Sequence, residues 1–152
     1  MKSEQNWFTE YAASHQNPKN QAIHYICVPL IYFSIVGMLM AINTSFLQRI
    51  MPFKSLLFVN WSSVFLIVVL LFYLQLSFKT FLRMLFFSLL VLVLNYYLSK
   101  YVNLFYFNLG LFVVAWFGQF YGHKIEGKKP SFFKDIQFLL IGPAWVFKKM
   151  FG

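Results

Sequence analysis

Gln119, His123 and Glu126 close a long apolar run near the C-terminal end of the chain. An α-helix advances about 100° per residue, so these three fall within roughly 60° of one another on one face. Such a group at the mouth of a hydrophobic segment is costly unless it holds something polar or metallic. The other histidines, His15 and His24, lie near the opposite end of the sequence. Imidazole and carboxylate suit zinc or non-haem iron, and two histidines with one carboxylate and open positions form the ferrous oxygenase pattern. The expectation is a metal site drawn from His15, His24, His123 and Glu126. Asn20 stands four residues before His24, as Gln119 stands before His123. Each amide is placed to orient its histidine or to sit beside a substrate. Lys124, Lys128 and Lys129 are the nearest cations and are candidates for capturing a fatty acid carboxylate, beside their ordinary role as membrane-surface charges. Taken singly, each histidine or amide also reads as an interfacial residue capping a helix end. The metal reading rests on all three histidines being able to reach one place.

The elements that must position these residues are apolar. Charged residues make up 11% of the chain, against about 25% in soluble domains. With 60% apolar residues and a mean hydropathy of +0.64, the chain cannot hide its apolar surface within itself, so lipid is the expected solvent. The net charge of +9 flanks apolar runs and does not form a patch, which argues for a membrane surface and against nucleic acid. Cys27 is the single cysteine, which excludes an intrachain disulfide and a cysteine-based metal knuckle. Residues 1–19 are polar and do not read as a signal peptide. The length suits one domain, 1–152.

Residues 3–14 place Trp7, Phe8 and Tyr11 on one side of a helix, as an amphipathic segment at the membrane surface does. His15 and His24 are nine residues apart and would point in opposite directions on one continuous helix. Asn17-Pro18 is expected to break the chain between them and let both point inward. Four spans follow, at 23–46, 56–76, 81–98 and 104–121. The last two are expected to form an antiparallel hairpin. A final apolar piece, 132–147, is interrupted by Gly142-Pro143 and reads as a re-entrant or interfacial helix pair. With four spans, ten of the 13 lysines and arginines share the side of the two termini, against Arg49, Lys54 and Lys100 on the other. The positive-inside rule then puts both termini in the cytoplasm, and lets His15, His24, His123 and Glu126 meet at one membrane surface. The fold class is thus an all-α integral membrane protein with four transmembrane helices, an N-terminal amphipathic helix and a C-terminal re-entrant or interfacial helix.

Two motifs carry a resemblance. Tyr11-x-x-x-His15-x-Asn17-Pro18-x-Asn20-x-x-x-His24-x-x-Cys27-Val28-Pro29 resembles the N-terminal signature of the Mpo1-like proteins, and Gln119-x-x-Gly122-His123-x-x-Glu126-Gly127-x-x-Pro130 resembles their C-terminal signature. Cys27 stands where that family usually has glycine, and Ile125 where it usually has an aromatic residue. The resemblance implies an iron(II)-dependent dioxygenase that removes one carbon from 2-hydroxy long-chain fatty acids in fatty acid α-oxidation. Its partners would be the 2-hydroxy fatty acid, dioxygen and the lipid bilayer. It implies that His15, His24 and His123 are iron ligands. Glu126 is our addition as a fourth ligand or a base behind them. Tyr11, which opens the first signature, joins Asn20 and Gln119 as a residue behind the ligands or beside substrate. Two other functions use the same residues: a membrane-embedded zinc lipid hydrolase, and a non-catalytic four-span scaffold protein. The C-terminal Lys148-Lys149-Met150-Phe151-Gly152 is not a clean retrieval signal, which favours a bacterial inner membrane over the endoplasmic reticulum.

Overall fold

Local signals set where several of the helices begin. Ser3 caps the first helix, its hydroxyl accepting the Asn6 amide at 3.2 Å, and α1 runs over Glu4–Ala12. Pro18, whose fixed φ suits a first helical position, opens α2 over Pro18–Met40. The computed structural model describes residues 2–130 and 137–152, and among these it contains seven helices and no strand. After α2 come the short α3 (Ser45–Ile50), α4 (Trp61–Leu76), α5 (Phe78–Leu98), α6 (Leu104–Glu126) and α7 (Phe138–Phe151). Three of them, α2, α5 and α6, are long and apolar enough to cross a membrane. The fourth apolar helix, α4, has 16 residues.

The helices are all-α as the sequence indicates, but their bounds differ from the hydropathy bounds. α2 starts five residues before position 23, because a proline at the first turn starts a helix whatever the polarity of the next residues. α4 begins at Trp61 and not at 56, because the Asn60 side chain accepts the Ser63 amide at 3.0 Å and caps the helix there. α6 continues past 121 to Glu126, where Gly127 adopts φ +70° and its amide bonds back to the His123 carbonyl at 3.0 Å. In the C-terminal piece the helix runs straight through Gly142-Pro143. The proline loses one backbone bond there. Burial of Phe138, Ile141, Ala144, Trp145 and Val146 holds the helix together across it. The first part of that piece, 131–136, lies outside the described residues.

The chain divides into two compact units. One comprises Met1–Tyr32 and Val113–Gly152, the other Phe33–Phe112. In the second unit α4 packs on α5 across the single residue Ser77, which caps α5 by accepting the Thr80 amide at 3.2 Å. Its interior is tied by amides. Asn95 donates to the Phe33 carbonyl at 3.2 Å, and Asn108 donates to the Asn95 side-chain oxygen at 3.1 Å, which joins α6 to α5. Gly37 lies so close to both that a side chain there would strike them. Outward, Val68 and Leu71 on α4 and Phe86 on α5 are more than half exposed, which suits lipid and not water.

In the first unit α1 packs on α7. Trp7 meets Phe138 edge-on at 5.1 Å, and Tyr11 lies 5.3 Å from Trp145. α2 meets α6 through small residues. Cys27 sulfur sits over Gly118, and the Asn20 side chain sits over Gly122. Gly118 and Gly122 are four apart on one face of α6, a spacing that lets two helix backbones come close.

Candidate metal centre

Each histidine is delivered by a different piece of the first unit. His15 lies just after α1, His24 in the second turn of α2, and His123 in the last turn of α6. All three are buried, at 1%, 0% and 5% exposure. His15 and His24 stand edge to face at 4.4 Å, and each lies 4.9 Å from His123. One ligand atom from each of the three lies within 4.8 Å of the others.

Hydrogen bonds behind the rings fix which nitrogen faces inward. His15 Nδ1 donates to the Tyr11 carbonyl at 2.6 Å, and His24 Nδ1 donates to the Asn20 carbonyl at 2.9 Å. A carbonyl only accepts, so both rings carry their proton on Nδ1 and a lone pair on Nε2. His123 bonds to the backbone at Lys128, which the turn at Gly127 folds back over it. The nitrogens left over are His15 Nε2, His24 Nε2 and His123 Nδ1, all buried without a hydrogen-bond partner. Burial pushes the His15 imidazole down from its usual range to about 4, against the opposing effect of its bond to Tyr11, so it is neutral at pH 7. Unpartnered buried acceptors crowded together are unfavourable alone. A cation that takes all three lone pairs removes the penalty, so the residues present fit a metal ion.

The other residues singled out from the sequence fall in distinct places. Tyr11 stacks on the His15 ring at 4.1 Å, and burial pushes its phenol up. Asn20 is fully buried, one turn before His24. Gln119 is buried with its Nε2 unpartnered. Glu126 is not among the clustered ligand atoms. Its carboxylate accepts the Gln16 and Asn17 amides, each at 2.8 Å, and the Asn20 side-chain amide at 3.1 Å. Lys128 donates to the Ala13 carbonyl at 2.7 Å, while Lys124 and Lys129 are exposed.

Two features were not singled out from the sequence. Trp145 on α7 lies 5.6 Å from His15 and walls the cluster beside Tyr11. A groove of about 630 Å³ between α1 and α7 is lined by Phe8, Ala12, Trp145, Lys148 and Lys149 among others. Nothing in the order of residues marks Trp145. The Gly118/Gly122 pair was open to reading as a close-approach motif.

The chain thus combines three apolar helices long enough to cross a membrane with a buried cluster of three histidines that could hold a metal ion. The chain belongs to the Mpo1-like family, whose model, described as 2-hydroxy-palmitic acid dioxygenase Mpo1-like, matches residues 1–152. It is 32% identical over 140 residues to the 2-hydroxy-palmitic acid dioxygenase MPO1 of Saccharomyces cerevisiae, over 90% of this chain and 72% of the yeast protein. No solved structure matches the chain.

Proposed function

We propose that this chain is an iron(II)-dependent dioxygenase that removes one carbon from 2-hydroxy long-chain fatty acids, as a step of fatty acid α-oxidation. The observation that carries the reading is the cluster of three buried histidines, with one ligand atom from each within 4.8 Å of the others and one unpartnered ring nitrogen on each. The yeast relative named for this activity supports the substrate class. His15, His24 and His123 would hold the ion. When bound, iron(II) supplies the redox chemistry that couples dioxygen to cleavage of the C1–C2 bond. The residues around it do the rest. The Tyr11 and Asn20 carbonyls keep two rings in the ligating tautomer. Gln119 Nε2 is a buried donor with no partner, suited to an oxygen of the 2-hydroxy acid. Tyr11 and Trp145 keep water from one side of the site.

Lys124 and Lys129 remain candidates for meeting the substrate carboxylate at the water boundary. Lys128 already serves as a latch on the end of α1. We place α4 as a fourth span. At 1.5 Å per residue its 16 residues cover about 24 Å, less than the roughly 30 Å of a typical hydrocarbon core, and a local thinning of the bilayer accommodates that difference. Both termini are then cytoplasmic, in a bacterial inner membrane in preference to the endoplasmic reticulum.

Oxygen uptake tests the reading. Detergent-purified protein loaded with iron(II) should consume dioxygen on addition of 2-hydroxypalmitate and release an acid one carbon shorter. Tightly bound zinc with no oxygen uptake would point to a lipid hydrolase. Neither metal nor turnover would leave a structural scaffold.

A further inference from the structure

Glu126 stands three residues after His123, on the last turn of α6. Its two oxygens take three donors. Oε1 accepts the Gln16 amide at 2.8 Å, and Oε2 accepts the Asn17 amide at 2.8 Å and Asn20 Nδ2 at 3.1 Å. These donors are placed with respect to the other two histidines. Gln16 directly follows His15. Asn20 lies one turn before His24 and supplies the carbonyl that receives the His24 Nδ1 proton. One carboxylate therefore joins all three segments that carry a histidine. Further bonds brace the same loop: Gln21 Nε2 donates to the His15 carbonyl at 2.7 Å, and Lys128 donates to the Ala13 carbonyl.

A carboxylate that accepts three N–H bonds has its charge satisfied where it is. Turning it toward the ring nitrogens would leave the Gln16 and Asn17 amides without their acceptor and release the Asn20 side chain. We propose that Glu126 is the positioning residue that assembles the three-histidine site, clasping loop 13–17 and the start of α2 to the end of α6 without ligating the metal. This rests on the histidines being the ligands. Of the two sequence expectations, a fourth ligand or a base behind the ligands, it departs from the first, because the carboxylate is occupied by donors from more than 100 residues away in the chain.

The test uses the full-length protein in detergent and cobalt(II) alone as a visible-spectrum probe of the metal site. Glu126→Ala removes the clasp, and Glu126→Gln keeps the volume and one acceptor oxygen. Cobalt affinity should fall about ten- to a hundredfold in Glu126→Ala and less in Glu126→Gln. The cobalt spectrum at saturation should keep its wild-type shape in both. Without metal, hydrogen exchange at the Gln16 and Asn17 amides should quicken by about tenfold or more in Glu126→Ala, as those donors lose their acceptor. An altered saturated spectrum would make Glu126 a ligand and overturn the proposal. Unchanged exchange at both amides would overturn it as well. If wild-type protein binds no cobalt, the metal reading fails, and the exchange result alone decides the clasp. If Glu126→Ala does not fold, the same measurements on Glu126→Gln decide it.

Discussion

The Asn20 side chain lies over Gly122 with no room to spare: a methyl group at 122 would strike its oxygen. Asn20 cannot swing away freely, since it is fully buried and bonded to Glu126. Gly122→Ala should therefore destabilise the protein by about 1–3 kcal/mol in thermal unfolding and weaken metal binding. Gly110→Ala on the same helix is the control. Nothing lies within 4 Å of a side chain there, so the change should be neutral or stabilising by up to about 1 kcal/mol. At this scale the sequence was informative about identity and silent about partners. The three histidines were legible as a set because they are the only ones and because the expected topology lets both ends of the chain reach one membrane surface. Asn20 was legible from its spacing before His24, but it orients that ring through its backbone carbonyl, which any residue type supplies, while its side chain serves Glu126. Glu126 was legible as a polar neighbour of His123. Its acceptor role depends on amides that only folding brings to it.

The long apolar helices were plain from hydropathy, but α2 ends at Met40 and not at 46, the short α3 was not expected, and helix bounds were set by local chemistry that hydropathy does not see. Asn60 stops α4 from starting earlier by bonding the Ser63 amide, and Pro18 starts α2 sooner than its apolar run. Pro143 was misleading in the opposite sense, because the gain from burying Trp145 and its neighbours keeps α7 continuous through it. Within the second unit, polar bonds between apolar helices are the feature most exposed to test. Asn95→Ala would leave the Phe33 carbonyl without this donor and the Asn108 amide without its acceptor on α5. The expected cost is about 1–2 kcal/mol, read from unfolding in mixed micelles. A change smaller than about 0.3 kcal/mol would mean that these amides find equivalent partners in the unfolded state within the membrane.

For the molecule as a whole, the exposed aliphatic and aromatic side chains of α4 and α5 need lipid around them. The protein should stay with membranes through alkaline carbonate washing and come off only in detergent. Tags at either end should both be reached by a protease from the cytoplasmic side; a tag protected at one end only would remove the fourth span and with it the even count of crossings. The central claim is that the three histidines are a metal site. It is tested most directly by the metal content of detergent-purified protein prepared without oxygen, wild type beside His123→Ala. We expect about one iron per chain in wild type, lost in the variant while the variant remains in the membrane. No metal in either protein after iron has been offered, or equal iron in both, would contradict the account.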